Sequence, residues 1–246
     1  PHAGDEHLPE VEGLLMGTLL GLTQVGAAAR VAEHQRRGRT GEEFLADQES
    51  LRQQIDATLH QQALASGQAL GLLPIVSERM QPWLLAVSLQ LAELMQLGYQ
   101  PALGLDSHLS QQAMQRQQRI VALETGSAQI RMLAARPEYG VELLRQSLSA
   151  QQRKDAQRML DAWQQGDVQA LAALGQEASD TPIGKQLMAT LLDNRNRQWQ
   201  QQLQQLWQQQ TCNVAVGALH LVGDNSLIQL LQQAGYRISR VHYKQP

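Results

Sequence analysis

The C-terminal stretch limits the fold of this chain more than any other segment. Cys212 to Gly217 is a short apolar run rich in valine, residues 226–234 read as a helix, Gly235 stops that helix, and 236–242 reads as a second strand. Strand, helix and strand in that order predict a parallel pair joined by a right-handed crossover. His220 follows Gly217 by three residues, at the exit of the first strand, which is where open α/β sheets build their sites. Gly217 lets the backbone leave the strand sharply or approach another group closely.

The remaining segments extend this pattern. Residues 1–70 read as a helical N-terminal part, with Gly67 as a stop. Pro82 sits just inside a helix running to about Leu97, with Gly98 at the C′ position. Residues 102–105 read as a short strand, and Asp106 or Ser107 caps the helix after it. Arg119 to Glu124 (RIVALE) is a second strand, Thr125-Gly126 turns the chain, Ser127 caps the next helix, and another helix follows Pro137. Residues 150–182 are glutamine- and alanine-rich helices broken at Gly166 and Gly175, and Thr181-Pro182 restarts a long helix to about Gln210. The expectation is one domain over 1–246 of the α/β class. It has a central mixed or mostly parallel sheet flanked by many helices, with the helical insertion covering the sheet.

Composition removes several partner classes. The 246 residues carry a net charge of −3, and no basic stripe of the kind nucleic acid requires is present. Arg36, Arg37 and Arg39 are flanked by Glu33, Glu42 and Glu43, as at a solvated helix end. With Cys212 as the single cysteine there is no disulfide framework and no CxxC metal site. Residues 13–29 are free of charge but fall short of the roughly 20 apolar residues a span needs. They suit a buried helix or a peripheral membrane contact. The chain starts at Pro1, as after trimming or removal of a signal peptide, which would place it in the periplasm or outside the cell; the cytoplasm is the alternative.

Four side chains carry candidate chemistry. His220 at a strand exit serves either as a metal ligand or general base, or as a core histidine satisfied by a carbonyl. Glu124 ends the RIVALE strand in the same topological position. It serves to bind a metal, activate water or orient a histidine, or else simply caps the next helix. Leu192, Trp199, Leu203 and Leu206 mark an apolar stripe on which Asn196 falls, with Arg195 at its edge. Polar groups on an inward face need partners. They either brace loops or reach a carboxylate or an anionic substrate group.

Several blocks together resemble the bacterial TraB/GumN family: GLDSHLSQQA from Gly104 (with Asp106), ALETGSAQ at 122–129, RNRQW at 195–199, and VAVGALHLVGDNSLIQLLQQAGYRISRV at 214–241. Gln81-Pro82-Trp83 is similar to its Lys-Pro-Trp helix start. The resemblance spans about residues 74–134 and 187–241. It implies a fold like those of erythromycin esterase and the haem-binding ChaN proteins, and the Tiki members imply a metal-dependent peptidase acting on peptide or protein substrates. By position, His220 matches the histidine of the second GxxH motif, Glu124 the family glutamate, and Arg195 with Asn196 the Arg-Asn pair. Pro1-His2-Ala3-Gly4-Asp5 fits the tail of the first GxxH, which implies a divalent cation (Mn, Co, Zn or Fe) held by His2, His220 and Glu124. The acidic strand that normally follows is not recognisable after Pro9. A second reading therefore stays open, a binding or regulatory protein that sequesters a peptide or a cofactor in the same cleft without turnover.

Overall fold

Helix start and stop signals govern the described part of the chain, which the computed structural model gives as residues 43–100, 103–149, 152–178 and 180–241. The expectations for His2, for the contact through 13–29 and for the Arg36–Arg39 cluster lie outside these residues. In order, the helices are α1 (Leu51–Gln54), α2 (Ala57–Ala69), α3 (Pro74–Ser77), α4 (Pro82–Gln96), α5 (Leu105–Gln115), α6 (Gly126–Ala134) and α7 (Pro137–Ser147). Then come α8 (Gln152–Gln165), α9 (Val168–Glu177), α10 (Pro182–Met188), α11 (Asn194–Trp207) and α12 (Leu227–Gln233). Asp56, Thr125, Asp167, Thr181 and Ser226 cap α2, α6, α9, α10 and α12, each side-chain oxygen accepting from a main-chain N–H of the first turn. Gly98 and Gly235 close α4 and α12 in the left-handed region, at φ +93° and +91°.

Some boundaries differ from expectation. Thr125, not Ser127, caps α6. Gly104 is the N-cap of α5, so Leu105 opens that helix and Asp106 lies in its first turn instead of capping it. Gly67 and Gly175 lie inside α2 and α9, whereas Gly166, at φ +64°, does break the chain between α8 and α9.

The larger correction concerns fold class. The described residues are helical and hold no strand, so the central parallel sheet and its right-handed crossover are not formed. The β pairing among them is an isolated antiparallel bridge between Phe44 and Met80. Residues 119–124, 212–217 and 236–241 run as irregular chain. The last two keep a period-two burial: Cys212, Val214 and Val216 are half-buried while Asn213 and Ala215 are exposed, and Tyr236 and Ile238 alternate with Arg237 and Ser239. Their inner faces pack on α11 and α12 through Trp199, Leu203, Leu227 and Leu231. A sheet needs lateral main-chain pairing as well. The N–H and C=O groups of 121–123 and 213–216 make no hydrogen bond to another main-chain group among the described residues.

The main core lies between α4 and α7. Trp83, Leu84 and Leu85 on α4 meet Tyr139, Leu143 and Leu144 on α7, joined by Leu187 and Leu191. Gly140 permits this crossing, because a methyl there would lie 2.9 Å from the Trp83 main-chain nitrogen and 3.3 Å from its Cβ. Gly140→Ala should therefore destabilise the protein. Helix propensity alone would add about 1 kcal/mol, but overpacking against a backbone atom costs about 1–3 kcal/mol. A lowered urea midpoint is expected, and a raised midpoint would contradict the tight crossing.

Candidate functional site

One helical row builds the site. Leu187, Leu191, Arg195, Trp199 and Leu203 follow each other at intervals of four and are all buried. In an unbroken α-helix such a row would swing round by roughly 160° between its ends. A single π turn, Ala189–Asp193, joins α10 to α11 and removes roughly 100° of that drift. Arg195 and Trp199 thereby stay on the buried side instead of rotating into solvent, and Asn196 beside them is 1% exposed.

A buried guanidinium requires a counter-charge. Arg195 finds it in Glu124: its Nε donates to Oε2 at 3.0 Å and its Nη2 donates to Oε1. Nη1 donates to the Leu191 carbonyl at 2.9 Å, one turn back through the π segment. Gln129, on the first turns of α6, donates its Nε2 to Glu124 Oε1 at 2.6 Å. The guanidinium carbon also lies 4.6 Å from the Trp199 ring centre, within cation–π range.

His220 packs against the same tryptophan. Gly217, at φ −63° and ψ 148°, leads into a single 3-10 turn, Ala218–His220, which buries the imidazole to 2% exposure. Its ring centre is 4.3 Å from that of Trp199, and Nδ1 is 2.6 Å from Asn196 Oδ1. Asn196 donates its Nδ2 to the Asn225 carbonyl at 2.8 Å. Its Oδ1 must therefore accept, so Nδ1 of His220 carries the proton and Nε2 the lone pair. Burial first, and the positive charge of Arg195 second, push the His220 pKa down from 6.5 to about 3.

Glu124, Arg195, Asn196 and His220 are thus linked through shared partners. Glu124 and Gly217 border one cleft of about 290 Å³, with Asp106, Gln129 and Trp199 in its wall. His220 does not line that cleft and reaches it by way of Trp199. Among the described residues, no three His, Cys, Asp or Glu side chains gather to hold a metal. Sequence reasoning took Trp199 for core alone and passed over Gln129 and Asn225. The available signal was the unbroken four-residue row from Leu187 to Leu203, which stays buried only if the helix contains a π turn.

The depressed histidine makes a testable statement about stability in chelator-treated protein. The unfolded chain takes up a proton near pH 6.5, while the folded chain resists until about pH 3. The unfolded state therefore binds more protons between these values, and stability falls as pH falls through that window, by at most about 1.4 kcal/mol per pH unit. Above pH 6.5 this residue adds no slope. Urea unfolding across pH should show the slope in the wild type and its loss in His220→Gln; parallel curves would contradict a buried neutral imidazole.

Comparison with known proteins agrees with the blocks that build this site. The chain is 28% identical over 191 residues to uncharacterized protein YbaP of Escherichia coli strain K12, covering 75% of this chain and 69% of that protein. It is equally similar to the YbaP protein of Shigella flexneri. No solved structure matches the chain. The model of the TraB/PrgY/gumN family matches residues 32–240, a span that contains Glu124, Arg195, Asn196 and His220. The chain belongs to the TraB/PrgY/gumN family.

Proposed function

We propose that the chain is a metal-dependent hydrolase acting on peptide or protein substrates, centred on the cleft bounded by residues 121–124 and 215–217. The observation that carries the reading is the commitment of His220 Nδ1 to Asn196, which leaves the Nε2 lone pair as the reactive face of the ring. Metal-bound histidines are held through their other nitrogen in this way. Glu124 offers an oxygen as the second donor, since among the described residues its Oε2 accepts from Arg195 Nε alone. The expected third donor, His2, lies outside the described residues. A bound Mn, Co, Zn or Fe ion would lower the pKa of a water and polarise a scissile carbonyl.

The cleft walls suit a polypeptide. The main-chain groups of 121–123 and 215–216 form no main-chain hydrogen bonds among the described residues, and Ala122 O accepts only from the Gln202 side chain at 3.3 Å. An extended peptide supplies matching donors and acceptors. Trp199 forms part of the same wall. Arg195 holds Glu124 in register and supplies positive charge close to the cleft.

A second reading, a protein that binds peptide in this cleft without turnover, is favoured by one observation. His220 is 2% exposed and is not among the residues that line the cleft. A peptide-library digest with and without EDTA separates the two. The hydrolase reading predicts cleavage that EDTA abolishes and that His220→Gln lowers by roughly a hundredfold or more, at least the loss seen for residues that merely orient metal ligands. Peptide binding without cleavage in the metal-loaded wild type would support the second reading. Cleavage indifferent to both chelator and substitution would overturn the hydrolase.

A further inference from the structure

The proton on His220 is placed by a chain of contacts that begins well away from the ring. The Asn196 side chain touches Nδ1, but a carboxamide has almost the same shape when turned by 180°. Its orientation is decided by what its other end meets. That end meets the carbonyl of Asn225, at 2.8 Å. Asn225 lies in the turn that follows Gly223, at φ +83°, and Ser226, the next residue, caps α12. The turn is closed by the Ser226 N–H donating to Gly223 O at 3.2 Å. One side-chain tether ties it to the π turn, Asn225 Nδ2 donating to Asp193 Oδ2 at 3.0 Å.

We propose that Asp193 and Asn225 are positioning residues for His220. Their tether holds the Asn225 carbonyl where it accepts only from the Asn196 amide nitrogen. The Asn196 oxygen must then face the ring, the proton sits on Nδ1, and the lone pair sits on Nε2. When the tether is cut, the turn no longer presents its carbonyl at a fixed place, and the Asn196 carboxamide is free to rotate. Its NH2 then faces Nδ1, which becomes the acceptor, and the proton moves to Nε2. The proposal rests on the preceding reading only for the use made of Nε2; the proton's position is measurable whether or not the protein cleaves anything. Both tether residues border a second cavity of about 360 Å³ that also touches Asn196, and Asn225 is exposed, so substitution there leaves the cores intact.

The test is nitrogen-15 NMR of histidine-labelled, chelator-treated protein, with the His220 signals among the seven histidines assigned by their loss in His220→Gln. The wild type should show His220 in the Nδ1–H form. Asn225→Asp sets a second carboxylate against Asp193 and should lower the ratio of Nδ1–H to Nε2–H by roughly tenfold, the worth of one hydrogen bond. Asp193→Ala, which only deletes the acceptor, should shift the ratio in the same direction. Asp193→Asn combined with Asn225→Asp rebuilds the pair with donor and acceptor exchanged and should restore the wild-type ratio. An unchanged ratio in either single variant, or failure of the exchanged pair to restore it, would overturn the proposal.

Discussion

Arg195 is the group on which the rest of the site depends. A guanidinium that is 8% exposed is stable in a folded chain only when its charge is matched and its N–H groups have acceptors. Glu124 supplies the charge, Leu191 a carbonyl one turn back, and Trp199 a ring face. These three demands draw residue 124 onto α11, although 71 positions separate it from Arg195. The same cation also acts on His220, where it adds to burial in keeping the imidazole neutral. A lysine could not serve, because it lacks the planar fork that meets both carboxylate oxygens while lying over a ring.

The π turn is the backbone condition for this arrangement. Without it, a row that starts on the main core at Leu187 would not finish at Trp199 and Leu203 in the smaller cluster that seats residues 123, 214, 216 and 238. It also places Asp193 at the edge of the turn that carries Asn225. One irregularity in a helix therefore sets the directions of Arg195, Asn196 and Asp193 together. π turns recur at functional sites because they re-aim side chains without breaking the helix.

Helix boundaries were legible wherever capping chemistry is local. Pro82, Thr181, Gly98 and Gly235 act as their types require. The inward position of Asn196 was legible because it follows from spacing on a single helix, whereas spacing put Arg195 only at the edge of the stripe. Their partners were not, since nothing near Arg195 in sequence points to residue 124 except the family blocks. The sheet expectation failed for a related reason. The segments 212–217 and 236–241 do bury one face, but against helices, and apolar, β-branched residues carry no information about lateral pairing. Asn225 was invisible because it acts through its carbonyl, which every residue possesses, and through a side chain that reads as ordinary turn chemistry.

The account's central claim is that Arg195 and Trp199 bind Glu124 and His220 into one unit, although those two share no direct hydrogen bond among the described residues. A double-mutant cycle on unfolding free energy with Glu124→Gln and His220→Gln tests this most directly. Residues linked through a common network couple by about 0.5–3 kcal/mol, whereas independent sites add to within about 0.5 kcal/mol. A coupling energy in the first range is predicted, and simple additivity would contradict the account.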